Sequence, residues 1–401
     1  MEFQNNINAD INYKIDRIYI HVPFCIKKCD YCSFHSVSLP ADDTINKYLK
    51  KIEEDIIKNK YFINNYIRSI YIGGGTPSYL KNKYIEKIFY ILNEHFSLDK
   101  NTEITMECNP HDIVSEKIKI ISQFINRISI GIQTFNKKLN SIIGRSTLIE
   151  HKTFLKIFNL IEKYGINNTS CDIIFGIPGQ TKSDLIEDLN LITQIPFKHI
   201  SAYNLSFEKQ TKLYKKYHKD IHKFNDEYHF MDQEIKKKLQ EKHYKKYEIS
   251  NYCLNNYECN HNHAIWYGEK YIGFGPTAAS FDGNIRKIEC TLDKWIMKTD
   301  NCVYDKISQI KRIKEILIMG LRTKDGWNIN KNNNDTLIYS KFRDYFIIKN
   351  KQWIKIREKI LELNKNKLIT IGIDKNNKIN KIKLTEKGFM LWNSIGEILI
   401  T

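Results

Sequence analysis

Residues 18–34 read Ile-Tyr-Ile-His-Val-Pro-Phe-Cys25-Ile-Lys-Lys-Cys29-Asp-Tyr31-Cys32-Ser-Phe34. An apolar run, Ile18 to Val22, leads straight into a loop carrying three thiols. Thiols so close together on a loop leaving a strand can face one point in space. Three thiolates hold three irons of a cubane iron–sulfur cluster and leave the fourth iron open to a substrate or a chelating cofactor. The competing reading is a structural zinc site completed by His21, His35 or a distant cysteine. Zinc of that kind takes four protein ligands in two close-spaced pairs, a pattern that Cys25 and Cys29 fit poorly.

The chain around this stretch is long enough, at 401 residues, for a large core and further domains. With 42% hydrophobic residues it has the balance of a water-soluble protein. No apolar run approaches the ~18 residues needed to span a bilayer. The start, Met1 to Arg17, is polar and lacks the apolar core of a secretory signal, so a cytoplasmic location is expected. Nine cysteines, unevenly spaced and odd in number, do not make a disulfide framework. Reduced thiols suit cluster ligation, and Cys108, Cys171, Cys253, Cys259, Cys290 and Cys302 read as plain core or loop residues. The net charge of +17 raises nucleic-acid binding as a possibility of another class. Lys, Asn and Ile are, however, spread through loops and helices alike, which argues against one basic face and against a specific nucleic-acid partner.

From residue 17 to about 245, strand-like and helix-like segments alternate. Strands are expected at Arg17 to Val22, Ser69 to Ile72, Glu103 to Glu107, Arg127 to Ile132, Ser170 to Phe175 and His199 to Leu205. Helices follow; Thr44 to Lys58 sets Ile45, Tyr48, Leu49, Ile52 and Ile56 on one face. Such alternation implies parallel βαβ units, and six of them make a partial (β/α)6 barrel. Ligands of parallel α/β folds sit at the carboxyl ends of the strands. The unusual residues fall at those ends: the Cys triplet, Gly73–Gly75, Glu107, Gln133 and Asp172. Gly73-Gly74-Gly75-Thr76-Pro77 lets a backbone approach a ligand closely, and no Gly-Lys-Ser/Thr follows to make it a phosphate loop. The carboxylates suit a ribose or an ammonium group, and Arg145 suits a carboxylate.

After about residue 245 the pattern changes. Residues 246–305 extend the barrel with a stretch rich in Tyr, Asn, Cys, His and Gly. Residues 306–401 read as helices followed by a β-hairpin turning at Asp374-Lys-Asn-Asn377, a smaller C-terminal α+β, winged-helix-like domain. The expected division is therefore 1–245, 246–305 and 306–401.

Five motifs together resemble the radical-SAM superfamily: Tyr19-Ile-His21-Val-Pro23-Phe24-Cys25-x-x-x-Cys29-x-Tyr31-Cys32-x-Phe34, Gly73-Gly74-Gly75-Thr76-Pro77-Ser78, Glu107-x-Asn109-Pro110, Ser129-Ile-Gly131-Ile-Gln133-Thr-Phe135 and Asp172-Ile-Ile-Phe-Gly176-Ile-Pro178-Gly179-Gln180-Thr181. Within it the chain resembles the haem chaperone family HemW and its relative, the oxygen-independent coproporphyrinogen III dehydrogenase. The resemblance implies a 4Fe–4S cluster on Cys25, Cys29 and Cys32, with S-adenosylmethionine (SAM) chelating the open iron. It also implies a SAM pocket lined by Tyr19, Tyr31, Gly74, Gly75, Thr76, Glu107, Gln133, Arg145 and Asp172. If SAM is split to a deoxyadenosyl radical, an electron donor is a further partner.

Between the two relatives, Phe34 stands where the dehydrogenase carries a fourth cysteine, and the stretch before Tyr19 is short. Both points favour the chaperone. So does Tyr247-Glu-Ile-Ser-Asn-Tyr252, followed by Cys259-Asn-His261-Asn262 and Trp266, which resembles the chaperone's His-Asn-x-x-Tyr-Trp haem region. Ile265 stands where its Tyr is expected. Imidazole is a common axial haem ligand, which makes His261 the candidate, His263 a local alternative, and Cys259 a neighbour of interest. The resemblance thus implies haem as cargo and a haem-acceptor protein as partner. The rivals are oxidative decarboxylation of coproporphyrinogen III and, from another class, nucleic-acid binding.

Overall fold

The computed structural model describes residues 14–145, 148–221, 225–299, 301–328, 351–373 and 379–400. The polar start up to Tyr13 and the turn expected over Asp374 to Asn377 lie outside the described residues. The chain divides into two units, Met1–Lys238 with Lys270–Asp305, and Leu239–Glu269 with Lys306–Thr401.

The first unit is built on six strands, β1 (Arg17–Val22), β2 (Ser69–Gly74), β3 (Glu103–Cys108), β4 (Arg127–Gln133), β5 (Asn168–Phe175) and β6 (His199–Asn204), each parallel to the one before it. Between them run α1 (Asp42–Asn59), α2 (Asn82–His95), α3 (Ser115–Ile121), α4 (Lys137–Ile142) and α5 (His151–Lys163); α6 (Lys182–Ile192) precedes β6. This is the partial barrel expected. Another short strand, Ile272–Phe274, adds to the other edge of β1 in parallel, pairing Ile272 with Ile18.

The helices form where the apolar spacing predicts. In α1 the five residues of the expected face, Ile45, Tyr48, Leu49, Ile52 and Ile56, are all buried. Each such burial contributes about 1.5–3 kcal/mol, so a charge at Ile52 would detach the helix. Helix α6 begins at a capping box: the Thr181 hydroxyl accepts from the Asp184 N–H, and the Asp184 carboxylate accepts from the Thr181 N–H.

The strands are less ordinary. Parallel strands covered on both faces usually read as continuous apolar runs, and barrel interiors fill with branched aliphatics. Here the aliphatic residues gather on the helix-facing side, at Ile18, Ile20, Ile70, Ile72, Ile128 and Ile130, with Ile174 near the end of β5 an exception that lines the cavity. The alternate, inward positions carry Tyr71, Thr105, Glu107, Arg127, Ser129, Ser170, Asp172, His199 and Ser201. The barrel is polar inside.

The second unit has a core of Ile316, Leu317, Leu321, Trp327, Ile360, Ile382, Ile395 and Leu399. It is formed by the helices Gln309–Arg322, Lys351–Lys365 and Trp392–Ile400 over an antiparallel sheet in which Ile379–Leu384 lies between Trp327–Asn328 and Ile369–Ile373. Helices followed by a hairpin are the α+β pattern expected for the C-terminal domain. Among the described residues no helix is long and apolar enough to cross a membrane.

Candidate functional site

The loop bearing the three thiols is fixed at both ends. Phe24–Cys25 pairs in parallel with Val37–Ser38, which closes its base. Within it the Cys32 N–H donates to the Cys29 carbonyl at 3.2 Å and the Asp30 N–H to the Ile143 carbonyl at 3.0 Å. The Asp30 carbonyl accepts from the Leu213 N–H at 2.9 Å. The Lys28 ammonium donates to the Phe34 carbonyl at 2.7 Å. The three cysteines are half-buried and unpaired with one another in any disulfide. Burial pushes the Cys29 thiol up to about 11; Arg145 pulls against this, and Cys32 and Cys25 add to it. Thiols this close feel one another's charge, and a metal must displace their protons.

Among the described residues no three Cys, His, Asp or Glu side chains are set to hold one metal ion. The histidines offered for zinc are also engaged elsewhere. His21 Nε2 lies 2.9 Å from the His35 carbonyl and its Nδ1 lies 2.9 Å from the Tyr19 hydroxyl. Burial lowers His21 to about 4, so the ring is neutral and its one proton must sit on Nε2 to meet a carbonyl. His35 Nε2 accepts from the Leu292 N–H at 3.3 Å.

The glycine run packs against the end of β1. The Gly75 N–H donates to the Val22 carbonyl at 2.7 Å and the Thr76 N–H to the Phe24 carbonyl at 2.8 Å. A Cβ on Gly74, whose φ is +112°, would stand 2.6 Å from the His21 ring; one on Gly75 would stand 2.7 Å from the Phe24 carbonyl. Thr76 Oγ1 lies 3.6 Å from Cys25 Sγ, joining the cradle to the thiol loop.

Facing the glycines are two carboxylates. Glu107 accepts from the Tyr71 hydroxyl at 2.8 Å and from the Gly74 N–H at 3.0 Å. Burial raises its carboxyl to about 7, with Asp172 adding to the rise while Tyr71, Gly74 and Arg127 oppose it. Asp172 accepts from the Ser129 hydroxyl at 3.2 Å, and it too is raised, by burial. On β4 the register shifts between Gly131 and Gln133. Gln133 there adopts φ +67°, a left-handed conformation costly for any residue with a Cβ. The Arg145 guanidinium donates to the Gly131 carbonyl at 2.5 Å, which sets it across the mouth.

These groups line one cavity of about 480 Å³, which also takes in Tyr31, Tyr203, Asn204, Ser206 and Glu208. All three cysteines and Tyr31, Gly74, Gly75, Thr76, Glu107, Gln133, Arg145 and Asp172 border it. Tyr19 stands behind that wall, its ring 6.3 Å from Tyr71 and its hydroxyl on His21. Tyr71 is not singled out in the sequence, and Ser129 and Gly131 stand in the Gln133 motif without being assigned to the pocket. Strand parity is the signal that finds them, since Ser129 and Gly131 share the face of Gln133.

His261 belongs to the second unit, on the helix Asn260–Trp266, and is 2% exposed. His263 is half-buried, its ring 4.7 Å from that of Tyr267 and 5.9 Å from that of Tyr247. The Cys259 N–H, at the helix start, donates to the Tyr247 hydroxyl at 3.2 Å. At the helix end, the Arg322 guanidinium lies 5.1 Å from the Trp266 ring and 5.4 Å from the Trp392 ring. Its Nε sits 2.6 Å from Glu248, a carboxylate with no exposure at all.

Residues 19–192 match the radical SAM superfamily. The heme chaperone HemW of Lactococcus lactis is 31% identical over 394 residues, which span 96% of this chain and 97% of that relative. The chain belongs to the HemW family of the radical SAM superfamily. A second HemW, from Buchnera aphidicola of Acyrthosiphon pisum, is 38% identical over 64% of this chain and 68% of its own length. A solved structure, the coproporphyrinogen III oxidase HemN from Escherichia coli described as a radical SAM enzyme, superposes with a TM-score of 0.78 over 97% of this chain and 90% of its own. At 20% identity that likeness establishes the shared fold alone. Phe34 is 62% exposed beside the thiol loop and lines the cavity.

Proposed function

We propose that this chain is a haem chaperone that carries a 4Fe–4S cluster and SAM, binds haem as cargo and passes it to an acceptor protein. The reading is carried by the 31% identity to a HemW that runs end to end, through both units. The cavity suits the cofactors. Cys25, Cys29 and Cys32 would hold the cluster, and Gly74, Gly75 and Thr76 would offer backbone to an amino-acid moiety. Glu107 and Asp172 would take an ammonium or ribose hydroxyls, and Arg145 a carboxylate. A cluster with an open iron supplies chelation and one-electron chemistry when bound; the chain's own part is to orient, neutralise and exclude water. Tyr19 would act one step back, holding His21 and thereby the glycine turn.

For haem we propose His261 as the axial ligand, with His263 as the local alternative. The three-part division of the chain proposed here has its haem region in residues 246–305, between the barrel at 1–245 and the winged-helix-like residues 306–401. Its partners are a haem-acceptor protein and, if SAM is split, an electron donor, and the chain acts in the cytoplasm.

Anaerobic reconstitution with cluster and SAM, followed by haem titration and transfer to an apo-haemoprotein, tests the reading. Haem uptake and release without turnover of coproporphyrinogen III is expected. Sustained protoporphyrinogen formation would replace the chaperone with the dehydrogenase. Salt-steep binding to duplex DNA would favour the third class.

A further inference from the structure

A buried arginine needs a reason. Arg127 is 2% exposed, one of the largest fully buried side chains in the molecule. It lies on β4 two positions before Ser129, and strand alternation turns both into the barrel. Its register partners are Thr105 on β3 and Asn168 on β5. Thr105 precedes Glu107 by two residues, and Ser170, two beyond Asn168, precedes Asp172 by two. Arg127 therefore occupies the polar layer beneath the two carboxylates that face the cavity, and Ser129, directly above it on β4, touches one of them.

Charged side chains are almost never fully buried unless paired, and an unpaired buried charge is strongly destabilising. The barrel interior holds charges of both signs. We infer that Arg127 is a positioning residue for the SAM site: its guanidinium supplies the counter-charge that favours the ionised forms of Glu107 and Asp172 and holds them toward the cavity. It touches neither cofactor and acts through those carboxylates. The inference rests on the SAM reading of the cavity only for its ligand.

Other groups share the field. Tyr71 and Tyr19 face Glu107 from β2 and β1. Cys32 and Cys108 also feel its charge. Asp172 is faced by Arg145, by Ser129 and by Ser201 of β6. Below, His199 donates to or accepts from Ser170 at 2.8 Å and is held neutral by burial, with Arg127 adding to that effect, so it brings no second cation. Glu103 and Arg17 lie deeper, on β3 and β1, and are both buried. Arg145 sits at the mouth with Lys27 and Lys28, and Arg17 at the base; Arg127 lies between, one layer below Glu107 and two below Asp172.

The test compares R127M and R127K in the cluster-loaded protein. SAM affinity is measured from pH 6 to pH 9, and the Glu107 carboxyl is titrated without SAM by infrared difference spectroscopy, with E107Q assigning the band. In R127M the affinity at neutral pH should fall at least tenfold, and both the affinity midpoint and the Glu107 titration should move up by at least one pH unit. R127K should restore most of each. A Glu107 titration in R127M that matches the wild type overturns the inference. Should R127M fail to fold at neutral pH, it should fold near pH 5, where uncompensated carboxylates take up protons; failure at both overturns it too. If E107Q and D172N bind SAM as the wild type does, the SAM assignment of these carboxylates is what fails, while the infrared titration still decides the role of Arg127.

Discussion

The two units each set an arginine near acids in their interior, and they use it in opposite ways. In the second unit Arg322 closes on Glu248 at 2.6 Å and is flanked by Trp266 and Trp392. In that cluster the acid has no exposure, and the guanidinium lies against two rings with its side chain 19% exposed. In the barrel, Arg127 is more deeply buried, at 2% exposure, but the acids above it border a cavity of about 480 Å³. One arrangement is closed upon itself. The other leaves its charge balance to be finished by a ligand. Burial of an ion pair is thus weak evidence for a purely structural role; what matters is whether an open volume adjoins it.

The largest expected effect separates the two regions outright. Cys25→Ala, Cys29→Ala and Cys32→Ala should each abolish the cluster's charge-transfer absorption while haem still titrates in the second unit. A full cluster in all three variants would refute the ligand set. Next comes Gly74→Ala. Its φ of +112° and the 2.6 Å approach to His21 should cost about 1–3 kcal/mol of stability, read by thermal melting. SAM affinity should fall tenfold or more.

The converse experiment is His261→Ala, expected to weaken haem binding several-fold and leave cluster and SAM untouched. Normal haem titration would move the axial ligand elsewhere, with His263→Ala the next variant to measure.

A subtler effect is the pH response of Glu107. Its folded carboxyl is raised from 4.5 to about 7, so the folded state holds the proton more tightly than the unfolded one. Its contribution to stability is therefore present below the ordinary carboxylate range and is lost as pH rises through about 7. SAM binding that uses the carboxylate should run the other way, strengthening over that interval. Calorimetry and SAM titration should thus slope in opposite directions, and E107Q should flatten both. Smallest of all, Phe34→Ala at the exposed rim should change stability by no more than about 0.5 kcal/mol.

Much of the barrel and its mouth was legible in the sequence because strand register is set locally. Once Ile18, Ile20, Ile70, Ile128 and Ile130 are read as helix-facing, the thiol loop, the glycines, Glu107 and Gln133 fall at strand ends, while Asp172 sits three residues inside the end of β5. Two things were not legible there. The inward polar residues beneath the mouth, Arg127 and His199 among them, stand out only when register aligns them across strands far apart in sequence. The strand Ile272–Phe274 was also missed, since three residues give no periodicity; its place is decided by pairing with β1. In the second unit His261 and Trp266 were visible as a motif, but the Arg322–Glu248 contact that braces them depends on side-chain packing across 74 positions of chain (322 − 248), which no local pattern encodes.

The kink at Gln133 has a consequence of its own. A side chain with a Cβ held at φ +67° is uncomfortable whether or not anything is bound, so the mouth of the barrel keeps its shape in advance. A ligand arriving there finds the bend already made and loses little freedom in fitting to it. The same fact makes the position a place where durability and affinity part company: Gln133→Gly would relax the backbone and yield a protein that melts higher, while giving up the amide and the ready-made contour that a guest would meet.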